Sequence, residues 1–314
     1  MITHRPLGST GVQVSRIGLG LAALGRPAYI TDGRTRDLGD DRSIAAMERR
    51  THEVLDAAFA AGVRYFDAAR SYGHAEAFLR SWLQDRRIPL PSRGSALDVP
   101  VVGSKWGYTY TGDWRMDAPV QERKELSAET LTRQAAESRS ILGAHLRLYQ
   151  IHSATIESGV FADARVLSAL ARLRADGLAI GFTTTGPQQT ETIRRAMAVT
   201  VDGAALFQVV QSTWNVLEPS SGAALAEAHA AGLGVIVKEA LANGRLAAQD
   251  DVAIATALRQ PWADVVLSGA VTVDQLRSNL RALNLALTAQ DDAPRVSAEP
   301  PDVYWSTRAS RRWA

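Results

Sequence analysis

Short apolar runs rich in β-branched residues recur eight times along this chain, each followed by a longer helical stretch, with no compositional break between units. The runs are residues 16–20, 64–67, 101–105, 148–152, 179–183, 206–211, 234–238 and 265–268. Helical stretches fall at 47–61, 75–83, 127–142, 165–176, 188–199, 223–231, 251–259 and 272–283. Several of these stop at a glycine, as in Ala61-Gly62, Leu142-Gly143, Asp176-Gly177 and Ala231-Gly232, where the chain must enter the left-handed region to leave a helix. Eight such units in 314 residues predict an α/β fold, a closed (β/α)8 barrel formed by residues 1–314 as a single domain. Before the first run, residues 6–8 and 12–14 flank a turn at Ser9-Thr10-Gly11, predicting an N-terminal β-hairpin that caps one end of the barrel. Residues 26–42 and 86–99 break the repeat and read as long loops.

Composition narrows the functional classes. With 46% apolar residues, the chain can bury a large core, yet no stretch approaches the roughly 18 apolar residues of a membrane span, and the N-terminus lacks the pattern of a secretory leader. A cytoplasmic protein with no membrane association is expected. The absence of cysteine excludes disulfides and thiolate metal ligands. A net charge of +2 with scattered basic residues gives no sign of a nucleic-acid partner. His4, His52, His74, His145 and His229 lie on helices or loops without metal-ligand spacing, so no metal is expected. Only three of the 35 basic residues are lysines: Lys105, Lys124 and Lys238. Two of them end apolar runs, and a lysine pKa can be tuned where an arginine pKa cannot.

In a closed parallel barrel, chemistry collects at the C-terminal ends of the strands. The second run delivers Asp67 and, five residues on, Tyr72; the third ends at Lys105 and the fourth at His152. A carbonyl that receives hydride develops negative charge on oxygen and needs a proton, but a free phenol with a pKa of about 10 releases one reluctantly. An adjacent ammonium is expected to lower that pKa, and a carboxylate beside the ammonium keeps it charged in a desolvated pocket. Tyr72, Lys105 and Asp67 can fill these roles, with His152 donating a hydrogen bond to the substrate oxygen.

The segments FDAARSYGHAE, VVGSKWG and LYQIHS resemble three signature segments of the aldo-keto reductase superfamily, and the resemblance spans nearly the whole chain. It implies the catalytic set Asp67, Tyr72, Lys105 and His152. It also implies a nicotinamide dinucleotide laid across the barrel mouth without a glycine-rich fingerprint. Gly20 and Leu21 then border the cofactor, and Gln211 meets the nicotinamide amide. Thr183 and Thr184 replace the family's Ser and Asn on the other side of that amide. Lys238, Glu239, Ala240 and Leu241 stand where the family has an aromatic residue followed by Ser-Pro-Leu. Lys238 can cover the ring with its stem, reach the pyrophosphate or pair with Glu239. Asn243, Gly244 and Arg245 resemble the pyrophosphate loop. Ser268, Gly269, Val271, Gln275 and Asn279 occupy the adenosine end, where members that select a 2′-phosphate often carry Lys or Arg. The family favours NADP(H); the lack of those cations, with only Arg277 nearby, keeps NAD(H) as the alternative.

The implied activity is NAD(P)H-dependent reduction of an aldehyde or ketone to an alcohol, Tyr72 acting as general acid. Dehydrogenation of a sugar lactol or alcohol uses the same groups in reverse. A cofactor-sensing regulatory subunit is the alternative from a different class. Trp106, Trp114 and Trp214 either line a substrate pocket beside Tyr72 or pack long loops. The sequence Gly18-Leu19-Gly20…Gly25 lacks the following helix that a dinucleotide fingerprint requires and reads as an ordinary loop. Neither the substrate nor the oligomeric state has a readable code.

Overall fold

The structure, a computed structural model, describes residues 2–31, 33–90, 99–286 and 297–313. Eight parallel strands close into a barrel: β1 (Ile17–Gly20), β2 (Tyr65–Asp67), β3 (Val101–Trp106), β4 (Leu146–Ala154), β5 (Ala179–Thr184), β6 (Val209–Thr213), β7 (Gly234–Lys238) and β8 (Val265–Ser268). Each pairs with its neighbours in chain order, and β8 returns to β1 through the register Leu267 to Gly18 and Ser268 to Leu19. The expected (β/α)8 architecture is therefore present. The intervening helices are α1 (Ile44–Ala60), α2 (Ala75–Asp85), α3 (Ala128–Leu142), α4 (Ala164–Ala175), α5 (Gln189–Met197), α6 (Gly222–Ala230), α7 (Asp250–Leu258) and α8 (Val273–Arg281).

Local chemistry sets the helix ends. Ser43, Ser127, Asp163 and Thr272 each accept a backbone N–H from the first turn of the helix they precede. At the opposite ends, Gly62 and Gly177 take φ of 97° and 96°, the left-handed exit that their sequence positions predict.

Two apolar layers hold the barrel together. Inside its N-terminal end, Tyr65, Leu148, Val209, Ile236 and Val265 pack with Leu7, Val12 and Val14 from the N-terminal hairpin, whose strands His4–Pro6 and Gln13–Ser15 pair antiparallel. The hairpin is thus a plug, and the opposite, C-terminal end remains the open one. Between strands and helices, residues such as Phe66, Phe78, Trp82, Tyr149 and Ile180 form the larger layer. Each fully buried large apolar side chain contributes about 1.5–3 kcal/mol.

Four features depart from the sequence expectations. β6 begins at Val209 rather than 206, because Ala204–Ala205 turn aside to pair with Thr200–Val201. The 26–42 loop contains a short helix, Arg34–Leu38, whose polar sequence carries no amphipathic period. A hairpin of Tyr108–Tyr110 and Glu122–Lys124 follows β3. A helix, Pro301–Ala309, crosses the C-terminal segment, its start set by a proline in the first turn. Of the 86–99 loop, Pro91 and Gly94 lie outside the described residues.

Candidate active site

β2 ends at Asp67, and the chain then keeps hydrogen-bonding to β3: Ala68 N–H donates to Gly103 O at 2.8 Å and Arg70 N–H to Lys105 O at 3.0 Å. The loop bearing Tyr72 is thereby held along the barrel rim. Two glycines fix its other side. A Cβ on Gly25 would stand 2.2 Å from Tyr72 O, and one on Gly73, where φ is +54°, would stand 2.4 Å from Gly25 O. The backbones of the β1 and β2 loops thus touch, and His74 N–H donates to Gly25 O at 2.7 Å. Gly25 serves loop packing and does not belong to a dinucleotide fingerprint.

Lys105 lies at the centre of the cluster. Its ammonium pairs with the Asp67 carboxylate, donates to Ala68 O at 2.9 Å and reaches Tyr72 Oη at 3.4 Å. Gln211 from β6 donates its amide nitrogen to Asp67 Oδ2 at 3.0 Å, which leaves its amide oxygen as an acceptor for a ligand. From β4, His152 presents its ring edge-on to Tyr72, centroids 5.5 Å apart. The strand end that carries it is irregular: Ser153 has φ +52°, and the β4–β5 register shifts between Ile151 and Ala154. Backbone strain of this kind concentrates at functional sites. The four residues that the sequence placed at three strand ends and on the loop after one of them are therefore neighbours.

Burial dominates the electrostatics. It pushes the Tyr72 phenol well above its ordinary pKa, the Asp67 charge pushes further, and Arg26 acts in the opposite direction. The expectation that the ammonium leaves this phenol acidic is corrected: Lys105 is already neutralised by Asp67, so desolvation prevails and Tyr72 holds its proton through the neutral range. Burial, followed by the Lys105 and Arg26 charges, drives the His152 pKa well below the ordinary histidine value. The imidazole is neutral, and its buried Nδ1 has no partner among the described residues.

A cavity of about 410 Å³ opens beside Tyr72, Asp67 and His152. Of the residues the resemblance assigns to cofactor, Gly20, Thr183, Gln211, Lys238, Glu239, Ala240 and Leu241 line it, as do Asn243, Gly244, Ser268, Gly269, Gln275 and Asn279. A dinucleotide suits this setting: a cavity on the catalytic cluster, with acceptor and donor groups such as Gln211, Thr183 and Asn243 in its lining. Four assigned residues stand outside the lining. Leu21 is fully buried and donates its N–H to Asp67 O at 2.9 Å. Thr184 shares its hydroxyl with Gln189 and Ser212, Arg245 is ion-paired with Glu299, and Val271 is buried.

The three tryptophans, for which wall and packing roles were both open, stand outside the cavity lining, and their placement as substrate-pocket residues is corrected to packing. Trp106 is fully buried in the core, and Trp214 packs edge-on against Trp262. Trp114 donates its indole N–H to Arg42 O at 2.7 Å and packs on His74 and Phe78. Sequence reasoning missed Tyr29, Arg36, Asp37 and Asp250, which line the cavity. The first three come from the irregular 26–42 loop, whose composition carries no signal, and Asp250 reads from sequence only as a helix-start acid.

Two buried charge clusters frame the cavity. Arg26 pairs with Glu122 at 2.9 Å, and its guanidinium lies 5.0 Å from the Tyr72 ring, 5.0 Å from Tyr29 and 4.5 Å from Trp313. On the other side, Lys238 donates to Thr213 Oγ1 at 2.8 Å and lies 3.6 Å from Glu239, which also holds Arg308 of the C-terminal helix in a two-pronged pair. Of the three roles open to Lys238, pairing with Glu239 is the one the geometry contains. Burial lowers the Lys238 pKa to about 8 despite that pairing. Burial works against the Glu239 carboxylate too, but Arg308 and Lys238 outweigh it and hold its pKa at about 2. Among the described residues no cluster of side chains could hold a metal ion, and no helix is long and apolar enough to cross a membrane.

Residues 16–252 match the family described as "Aldo/keto reductase family". An uncharacterized oxidoreductase, YqkF of Bacillus subtilis, is 22% identical over 97% of this chain and 99% of its own length. A D-threo-aldose 1-dehydrogenase from a Pseudomonas species is 25% identical over 78% of this chain and 73% of its own length. Among solved structures, the holo form of an aldo-keto reductase from Bacillus halodurans superposes with a TM-score of 0.67 at 18% identity, covering 96% of this chain and 100% of that one. A proposed aldo-keto reductase from Pseudomonas aeruginosa gives a TM-score of 0.64 at 23% identity over 89% of this chain and 95% of its own.

Proposed function

Since the chain belongs to the aldo/keto reductase family and is an oxidoreductase, we propose that it reduces an aldehyde or ketone to the alcohol at the expense of a reduced nicotinamide dinucleotide, with Tyr72 as general acid. The observation that carries this reading is the shared contact of one ammonium, on Lys105, with both the Asp67 carboxylate and the Tyr72 phenol oxygen.

A bound dinucleotide would supply the hydride, held by Gln211, Thr183 and Gly20 near the catalytic cluster and by the Lys238–Gly244 segment along its length. The chain's own residues do the rest. His152, neutral, offers a donor to the substrate oxygen and orients it. Tyr72 keeps its proton until negative charge builds on that oxygen. An alkoxide is a stronger base than a phenolate, so a phenol with a raised pKa still gives up its proton at that moment. Lys105 stabilises the phenolate left behind, and its pairing with Asp67 fixes the ammonium beside that oxygen.

The reverse direction, dehydrogenation of a sugar lactol, is the second reading. It is favoured by the relative named for aldose 1-dehydrogenation. Turnover of a panel of aldehydes, ketones and aldoses, with each of the reduced and oxidised dinucleotides, tests both. Dinucleotide binding without turnover of any member would overturn them in favour of a cofactor sensor.

A further inference from the structure

We infer that Arg26 is a positioning residue for the proton transfer: its guanidinium fixes the Tyr72 ring in place and supplies a second cation to the phenolate. The inference rests on the reading above, in which Tyr72 carries the proton.

Arg26 comes from the loop after β1 and is only 2% exposed. Its Nε donates to Ala22 O at 3.0 Å within that loop, and its Nη1 donates to Ser71 O at 3.1 Å, the carbonyl of the peptide that leads into Tyr72. Nη1 also donates to Glu122 Oε2 at 2.9 Å, on the hairpin after β3. One planar cation thus ties together three segments at the barrel mouth. The guanidinium carbon lies 5.0 Å from the centre of the Tyr72 ring, with the Tyr29 and Trp313 rings at 5.0 and 4.5 Å. A Cβ on Gly73 would stand 3.1 Å from the Arg26 Cβ, so the two loops are in contact beside the phenol.

A guanidinium keeps its charge throughout the working pH range. A cation against an aromatic ring is held more strongly once that ring carries the delocalised charge of a phenolate. The other cation near the phenol, Lys105, is paired with Asp67, whose side chain is 2% exposed and whose own charge opposes ionisation of Tyr72. Glu122, the partner of Arg26, has a side chain 23% exposed, so solvent screens it more and the Arg26 charge is less fully cancelled at the ring. The electrostatics agree with this geometry. Burial and then Asp67 push the phenol pKa up, Arg26 opposes them, and Glu122 and then Glu239, from the segment after β7, side with Asp67. His152 is neutral, and burial keeps the Tyr29 and Tyr65 phenols protonated, so these three add no charge.

kcat/KM for one aldehyde and for its alcohol, measured across pH in wild type, Arg26→Met, Arg26→Lys and Glu122→Gln, tests the inference. Arg26→Met should lower kcat/KM by about tenfold in both directions, because a less stabilised phenolate slows proton transfer each way. Arg26→Lys keeps the charge without the planar stack and should recover part of the loss. Glu122→Gln keeps an acceptor for Arg26 while removing the opposing charge. It should raise kcat/KM by about threefold and bring the alkaline climb of the oxidation rate to lower pH. The opposite signs separate this role from a merely structural one, because breaking a structural ion pair from either side would cost activity alike. Nitration of Tyr72 by tetranitromethane at alkaline pH, mapped by peptide mass, reads the phenolate without turnover and should follow the same order. Losses of similar size in Arg26→Met and Glu122→Gln, or rates and nitration unmoved by both, would overturn the proposal even if Tyr72→Phe abolishes turnover. If Tyr72→Phe keeps its rate, or no carbonyl compound or alcohol is turned over, the carbonyl-reductase reading falls and this inference falls with it.

Discussion

The ammonium of Lys105 lies 3.4 Å from the phenol oxygen of Tyr72 while it is paired with Asp67. One cation therefore faces two side-chain oxygens, of which only the carboxylate's carries charge. Lys105→Met should leave the Asp67 carboxylate uncompensated beside the phenol, raising its pKa further. Turnover is expected to fall in both directions by about a hundredfold or more, and more steeply for oxidation, which must start from the phenolate. Steady-state rates for one substrate pair measured both ways would check this. Equal losses in the two directions would count against the electrostatic role.

Tyr72→Phe removes the donor and keeps the ring. Carbonyl reduction should drop by about two orders of magnitude or more, with dinucleotide affinity nearly unchanged. A variant retaining most of its rate would refute the assignment of Tyr72.

Because burial raises the phenol pKa, the pH profiles of the two directions should differ. Reduction needs protonated Tyr72 and should be level across the neutral range. Oxidation needs the deprotonated form and should keep climbing as pH rises. An oxidation rate that is flat through neutrality would mean that the phenol is far more acidic than its surroundings imply.

Lys238, with its pKa near 8, places a titrating cation on the cavity wall. Below that pH its charge should oppose the cationic oxidised nicotinamide, and above it the opposition should fade. Lys238→Met is expected to strengthen binding of the oxidised form more than the reduced and to flatten the pH dependence of the former. Calorimetric titration with both forms at two pH values would measure it.

Glu239 holds Lys238 and Arg308 together, and its folded pKa of about 2 lies below the ordinary 4.5. The resulting stability is fully present above about pH 5 and is lost as pH falls toward 2. Glu239→Gln should cost on the order of 3 kcal/mol at neutral pH, the lower end for a buried pair because Arg308 is partly exposed. Denaturant unfolding at neutral and acid pH should show the difference between wild type and variant shrinking in acid.

Much of this was legible in the sequence because barrel strands and their helices obey local periods. Asp67, Tyr72, Lys105 and His152 sit at strand ends or on a short loop after one, so the repeat itself brings them together. The carboxylates of Asp37 and Asp250 on the cavity wall were not legible. Asp37 meets Gln275 only because a loop after β1 folds across to α8, a pairing 238 residues apart that no local pattern encodes. The tryptophans misled for a related reason: a large aromatic after a strand suits a pocket wall or a core equally, and only packing decides. The phenol pKa was misjudged because proximity of a cation can be read from sequence, whereas the extent of desolvation cannot.

Trp313 packs on Arg26, Arg26 stacks on Tyr72, and the same terminal segment grips Glu239 through Arg308. The tail thus buckles the loop after β1 to the loop after β7 at the barrel mouth, on either side of β8. Alterations there, whether a fusion partner, a protease nick or a single Trp313→Ala exchange, would be felt as changes in catalytic tuning before any loss of fold became measurable.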